Sequence, residues 1–306
     1  MKRWLRRFVK ILLLCIGIII CLLLWNVRPP AVGEPTDFAE KMSTNARLVP
    51  APIRLRVVTW NVLGLRWISP RRKDRLEKVA QAVAGLKADI VAFQEAYVSE
   101  DRDKLITALR GVGLDHARYF PSGLVGSGLL LVSRFPIESE GFIRYTHNGY
   151  PHALQHGDWW AGKGLSMSVA RLPDGTRLYL CNTHFHARYG LELYRPTQLA
   201  QAGQLLPWVQ RVKATDWPAL WMGDWNSHPN SEVLKPLQEA GSWRLLNTQK
   251  SRIDHLFGSG TSWEWRVTAQ GKLQGHLDDA PKILWSDHDA CWVEVELRRA
   301  VGSLAR

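Results

Sequence analysis

Residues 219–229 read ALWMGDWNSHP. Ala219–Met222 has the length and apolar character of a buried strand, and Gly223 punctuates its end. Asp224 and Asn226 follow at once, so the run terminates in side chains suited to chemistry rather than packing. The same arrangement recurs along the chain. Asn61 follows Val57–Trp60, Glu95 follows Ile90–Phe93, and His184 follows Leu178–Cys181, while Asp287 and His288 precede Ala290–Leu297. Strand ends gathered on one rim would bring these groups together and hold them still. A set of Asn, Asp, Glu and His dominated by oxygen ligands suits Mg²⁺ or Mn²⁺ rather than a thiolate-bound metal. Histidines beside such a site can act as general acid or orient a reacting phosphoryl group.

Outward from these runs, the pattern predicts strands at Ile53–Trp60, Asp89–Phe93, Gly128–Ser133, Ile253–Phe257, Trp263–Val267 and Ala290–Leu297. Leu165–Arg171 and Arg177–Thr183 flank Pro173-Asp174-Gly175 and read as a hairpin. Helices are expected at Arg71–Leu86, Lys104–Arg110 and Tyr194–Val212. Strands outnumber helices, which separate only some of them. That favours two packed sheets with helices outside over a doubly wound parallel sheet.

Composition narrows the class. The 306 residues are 46% hydrophobic and 22% charged, which argues against wholesale disorder. Four cysteines are too few for a disulfide scaffold, and no CxxC pair suggests a zinc ribbon. Cys181 and Cys291 fall on expected strands, where buried free thiols are the default.

Half of the net charge of +12 comes from Lys2, Arg3, Arg6, Arg7, Lys10 and Arg28, with no acidic residue among the first thirty. These flank the unbroken apolar run Ile11–Trp25, about 22 Å as a helix. Extension from Phe8 to Val27 reaches roughly 30 Å, the thickness of a hydrocarbon core. Residues 1–27 therefore read as a membrane anchor, or alternatively as a cleaved secretory signal. The basic excess before the run predicts a cytoplasmic N-terminus, with the catalytic domain on the periplasmic or extracellular side, or secreted after cleavage. Residues 28–52 read as a tether, 53–298 as one domain and 299–306 as a tail.

The ordered blocks TWN (59–61), FQE (93–95), GLLLVSRFPI (128–137), NTHFHA (182–187), MGDWNSHP (222–229), RIDHLF (252–257) and SDHDA (286–290) resemble the endonuclease/exonuclease/phosphatase superfamily. The resemblance implies an α/β (α+β type) fold, a four-layer α-β-β-α sandwich of two packed mixed sheets, here preceded by an N-terminal transmembrane helix. It implies that Asn61, Glu95 and Asp287 hold a divalent metal. Asp224 would orient or deprotonate the attacking water, and Asn226 would hold a phosphoryl oxygen. His184 and His288 would flank the scissile phosphate, with Asp254 fixing the His288 tautomer. His255 stands where many relatives have Tyr or Phe, and Trp225 where Phe is common.

GDWWAGKG (157–164) and HARY (186–189), followed by Tyr194, Arg195 and Gln198, are similar to the neutral-sphingomyelinase branch. By that resemblance Lys163, with Asp158 as its partner, sits near the phosphate or braces the site. Trp159-Trp160 then faces either a lipid interface or the core. The function implied is a Mg²⁺-dependent phosphodiesterase acting on a membrane phospholipid, such as sphingomyelin cut to ceramide and phosphocholine. A metal-dependent endonuclease acting on nucleic acid is the alternative, since both substrates are phosphodiesters. The basic stretch Arg66–Lys78 does not separate the two.

Overall fold

Alternation along the strands decides which side chains meet. In the computed structural model, which describes residues 2–36, 51–66, 68–248 and 253–300, Leu55 and Val57 face one way and Val58 and Trp60 the other. In chain order the elements are helix α1 (Lys2–Asn26), strand β1 (Ile53–Asn61), α2 (Arg72–Leu86), β2 (Ile90–Gln94), α3 (Ser99–Arg110), β3 (His116–Tyr119), β4 (Leu130–Ser133), β5 (Ile137–Arg144), the single turn α4 (Asp158–Ala161) and β6 (Gly164–Arg171). There follow β7 (Arg177–His184), α5 (Arg195–Thr215), β8 (Ala219–Asp224), α6 (Lys235–Gly241), β9 (Arg244–Leu245), β10 (Asp254–Ser259), β11 (Trp263–Leu273), β12 (His276–Leu277), β13 (Ala280–Leu284) and β14 (Ala290–Arg299).

One six-stranded sheet runs β11-β14-β1-β2-β4-β3 and the other β5-β6-β7-β8-β10-β9. Both are mixed: β1 pairs parallel with β2 and β7 parallel with β8, while their other pairings are antiparallel. The inner faces meet through Leu55, Val57, Ile90 and Ala92 on one side and Leu178, Leu180, Leu220, Met222 and Leu256 on the other. Helices α2 and α3 cover the outer face of the first sheet, where Val79, Val83, Leu105 and Leu109 pack on Val58, Trp60 and Phe93. Helices α5 and α6 cover the second through Leu205, Val209 and Leu237. Here Trp221, Trp225, Trp243 and Phe257 form one aromatic stack, which accounts for part of the high tryptophan content. The result is the four-layer α-β-β-α sandwich.

The period of two then positions the site. The inward rows of β1, β7, β8 and β10 end in Asn61, His184, Asp224 and Asp254, all on one rim of the sandwich. Register enforces it, because His184 and Asp254 both pair with Asp224. Gly223 is required just before Asp224: a Cβ there would lie 2.1 Å from the Thr183 carbonyl oxygen.

Just beneath that rim the sheets are joined by polar groups. Gln94 Nε2 donates to Asn182 Oδ1 (2.8 Å) and Thr59 Oγ1 (3.1 Å), and Asn182 Nδ2 donates to the Phe93 carbonyl (3.0 Å). Both amides are fully buried. Asn182→Leu is expected to cost about 1–3 kcal/mol by removing the Asn182 donor from the buried Phe93 carbonyl and one of the acceptors of Gln94 Nε2. Urea unfolding of the full chain would check this, and an unchanged midpoint would refute it.

Helix α1 is a single helix long and apolar enough to cross a membrane over Arg3–Asn26. The near part of the stretch read as a tether is docked rather than free. The Gly33 carbonyl accepts the Phe142 N–H (2.8 Å), Arg144 donates to the Arg28 carbonyl (3.1 Å), and Val32 packs beside Phe120, Leu129 and Phe142. Residues 37–50 of that stretch, Arg252 of the RIDHLF block and residues 301–306 of the tail lie outside the described residues.

Candidate active site

The rim closes around a cavity of about 800 Å³. Asn61, Glu95, Lys163, His184, Asp224, Asn226, Asp287 and His288 all line it. Asp254 reaches it through His288.

Asn61 is the hub of the floor. Its Nδ2 donates to Glu95 Oε1 (3.0 Å) and Asp224 Oδ2 (3.1 Å), while Oδ1 accepts the Leu63 N–H (3.1 Å) and keeps a further lone pair. Glu95 and Asn226 both adopt left-handed backbone conformations, φ +58° and +46°. Such conformations are uncommon for residues other than glycine and cluster at functional sites. Asn226 is fixed there by its own N–H donating to Asp224 Oδ1 (3.0 Å) and by Nδ2 donating to the Phe185 carbonyl (2.9 Å).

Glu95 carries the signature of a cation ligand. Its Oε2 is buried and meets no hydrogen-bond donor. Burial pushes the carboxyl up to about 7 against the opposing pull of Asn61 and Lys163, with the charges of Asp287 and Asp224 adding to the rise. A divalent cation would satisfy that oxygen and relieve the mutual repulsion, so Asn61, Glu95 and Asp287 fit one. Asp224, Asp254 and His288 also bring ligand atoms within 4.8 Å of one another. There, however, His288 Nδ1 bonds to Asp254 at 3.0 and 3.2 Å, which commits two of the three groups to each other.

The two histidines differ in charge. Burial lowers the His288 imidazole, but Asp224, then the Asp254 hydrogen bond, outweigh burial and push it up to about 10. His288 Nε2 lies 3.8 Å from Asp224 Oδ2. His184 goes the other way: burial, then the Lys163 charge, hold it well below the usual imidazole range. Asp224 itself rises to about 6 through burial, partly offset by His288.

Lys163 is buried, and its ammonium is fully used. It pairs with Asp158, donates to the Phe185 carbonyl (3.0 Å), and meets His184 Nε2 (3.0 Å). Three partners exhaust three donors. Of the two roles expected of it, this geometry serves bracing; a phosphoryl oxygen would have to displace one partner. Asp158 is held in turn by the Tyr189 hydroxyl, which donates to Oδ2 (2.5 Å), and by His186 at 3.7 Å.

Sequence reasoning left Tyr189, His156 and His186 out of the site. Tyr189 and His156 line the cavity, and His186 touches Asp158; the only signal was the place of His186 and Tyr189 in the HARY block and of His156 just before GDWW. Trp159 and Trp160 are half-exposed rather than core, and Trp160 lines the cavity. The basic stretch is not a solvated helix face throughout. Arg75 is buried and donates to the carbonyls of Pro70, Leu63 and Trp285, while Arg71 and Lys78 pair with Asp279 and Asp278. Cys181 and Cys291 are both buried, as their strand positions lead one to expect.

The profile of the Endonuclease/Exonuclease/phosphatase family matches residues 58–288, a span that includes every residue named on the cavity floor. Over 195 residues the chain is 35% identical to the inositol phosphosphingolipids phospholipase C of Schizosaccharomyces pombe, covering 63% of this chain and 45% of that one. It is 32% identical over 179 residues to human sphingomyelin phosphodiesterase 2, covering 58% and 42%. The chain thus spans about half the length of these curated relatives. Among solved structures, sphingomyelinase C from Streptomyces griseocarneus superposes with a TM-score of 0.59 at 15% identity, covering 79% of this chain and 99% of that one.

Proposed function

Because the chain belongs to the endonuclease/exonuclease/phosphatase family, we propose that it is a Mg²⁺-dependent phosphodiesterase whose substrate is a membrane phospholipid, of the kind cut by sphingomyelin phosphodiesterases. The observation that carries the lipid reading is the cavity's rim. Ile68 (75% exposed), Leu154 (68% exposed), Leu124 and Val125 ring a floor of carboxylates and imidazoles. Exposed apolar groups around a polar pit suit a substrate with one apolar and one charged end. A nucleic-acid groove would instead present unpaired basic side chains along its walls, and Arg71, Arg72, Arg75 and Lys78 are engaged within the protein.

Asn61, Glu95 and Asp287 would hold the cation. When bound, it supplies charge neutralisation on the non-bridging phosphoryl oxygens. The remaining work falls to the chain's own groups. Asp224 orients the attacking water and accepts its proton, a task suited to a carboxylate raised toward neutrality. Asn226 holds a phosphoryl oxygen. His288, kept protonated by Asp224 and Asp254, sets a positive charge and a proton donor against the departing alkoxide. His184, kept neutral by burial beside Lys163, flanks the phosphate from the other side. With a lipid in the cavity, the apolar rim screens bulk water while the attacking water stays on Asp224.

The direct test is phosphocholine release from sphingomyelin vesicles, with a plasmid-nicking assay on the same preparation. Mg²⁺-dependent release without nicking is expected. Chelation should silence turnover and added Mg²⁺ restore it; activity that survives chelation would refute the metal assignment. Nicking without lipid turnover would move the chain to the nuclease branch.

A further inference from the structure

The apolar helix α1 ends on a single buried polar side chain. Asn26 is 0% exposed, while its neighbours Trp25 and Val27 are 55% and 59% exposed. An Asn at a helix end ordinarily serves its own backbone or turns the chain. Here both ends of the amide leave the helix. Nδ2 donates to the Trp159 carbonyl (2.9 Å), 133 residues away, and Oδ1 accepts the Leu124 N–H (2.7 Å), 98 residues away.

Those two loops form one wall of the cavity. Leu124, Val125 and Trp160 line it, and Asp158, the buried partner of Lys163, lies beside them. They are also joined to each other: the Val125 N–H donates to the Trp160 carbonyl (3.1 Å). Gly123 and Gly162 pass so closely that a Cβ on Gly123 would lie 2.9 Å from the Gly162 Cα. Asn26 therefore grips a doubled loop. The chain beyond it is held along β5 by the Arg28, Val32 and Gly33 contacts described above.

A helix able to cross a bilayer reaches the headgroup layer at its end, where Trp25 and the Arg28 guanidinium stacked on it (4.7 Å) are favoured. From this continuity we infer that Asn26 is a joint that seats the cavity's mouth on the bilayer from which α1 emerges, with Leu124, Val125, Leu154 and Ile68 as the docking surface. The inference rests on the lipid reading. It makes the bilayer the occupant of the apolar rim, and it makes Asn26 a positioning residue that acts on lipid delivery and not on the reacting atoms. A fixed orientation raises the effective concentration of lipid headgroups at the cavity without adding a contact to the substrate.

The test uses the full chain reconstituted in sphingomyelin-containing nanodiscs, comparing wild type, Asn26→Leu, and a second variant with a flexible Gly-Ser spacer between Val27 and Arg28. Three quantities are read: turnover of disc lipid, turnover of the soluble diester bis(4-nitrophenyl) phosphate, and hydrogen exchange at the Leu124 amide. Asn26→Leu is expected to speed Leu124 exchange and lower lipid turnover about tenfold while soluble turnover stays within about twofold. The spacer variant keeps Asn26 and both of its bonds, so its lipid turnover should stay near the wild type; loss in the spacer variant alone would assign the seating to the Arg28–Gly33 contacts and overturn Asn26 as the joint. Lipid turnover unchanged in both variants would overturn the joint. So would equal loss on both substrates, which would make Asn26 merely structural. If the wild type cleaves the soluble diester but no disc lipid, the lipid reading itself fails and takes this inference with it, a result distinct from either variant outcome.

Discussion

His288→Ala is expected to lower phosphodiester turnover by about 10²–10⁴-fold, the range typical of removing a positioned acid or base. The cause lies in how the ring is held. Nδ1 bonds to both Asp254 oxygens and Nε2 faces Asp224, so the imidazole sits between two carboxylates and keeps its proton up to about pH 10. Asp254→Ala should lose part of this, because it removes the partner that fixes the tautomer. The double variant should then be no slower than His288→Ala alone, since Asp254 acts through His288. Additive losses would show that Asp254 acts independently of His288, and turnover retained in His288→Ala would remove His288 from the mechanism.

The same contacts make the His288 substitution costly in stability. Without the imidazolium, the buried Asp224 and Asp254 face each other. Asp224 is already raised from 3.8 to about 6, so the fold favours its protonated form; that contribution is present below pH 4 and lost as pH rises through 6. Removing His288 takes away an opposing charge and moves the Asp224 carboxyl further up. His288 itself adds stability that is fully present below pH 6.5 and fades as pH rises toward 10, so the variant should be less stable than the wild type at both pH 4.5 and pH 8, read by urea unfolding. Activity must accordingly be expressed per folded molecule.

How much of this was legible in the sequence follows from which signals are local. Apolar runs ending in Asn61, His184 and Asp224 marked the rim, because a strand's alternation continues straight into the residue at its end, whereas Glu95 lies one past the inward Gln94 and is turned to the site by its left-handed backbone. The sandwich could be anticipated from the count and spacing of strands. What remained hidden depended on partners distant in the chain. Gln94 and Asn182 are ordinary strand residues until the sheets stack and their amides meet. Arg75 shared helical spacing with solvated lysines, and only the loop carbonyls of Leu63 and Trp285 explain its burial. Asn26 looked like the last residue of an apolar helix, and its two partners lie 98 and 133 residues away. The docked stretch Arg28–Gly33 has the prolines, glycine and lack of period of a free tether, and nothing local shows that β5 offers it an edge.

Lys163→Ala is the other large effect, and it is expected first in stability. The ammonium is buried with Asp158, and removing one member of a buried ion pair costs about 3–5 kcal/mol, because the other charge is left uncompensated. Tyr189 donates to Asp158 but carries no charge to balance it. His184 would lose the donor that fixes Nε2 and, with it, the cation that helps keep its ring neutral. Turnover should therefore fall in Lys163→Ala even though all three ammonium donors point to protein and none to a substrate. The double variant Asp158→Asn/Lys163→Gln separates the two roles. It keeps neutral hydrogen-bonding side chains at both positions, so most of the lost stability should return. If lipid turnover returns with stability, Lys163 acts by bracing His184 and the Phe185 carbonyl. If stability returns while turnover stays low, the positive charge itself is needed at the phosphate. A Lys163→Ala variant as stable as the wild type would refute the buried pair outright.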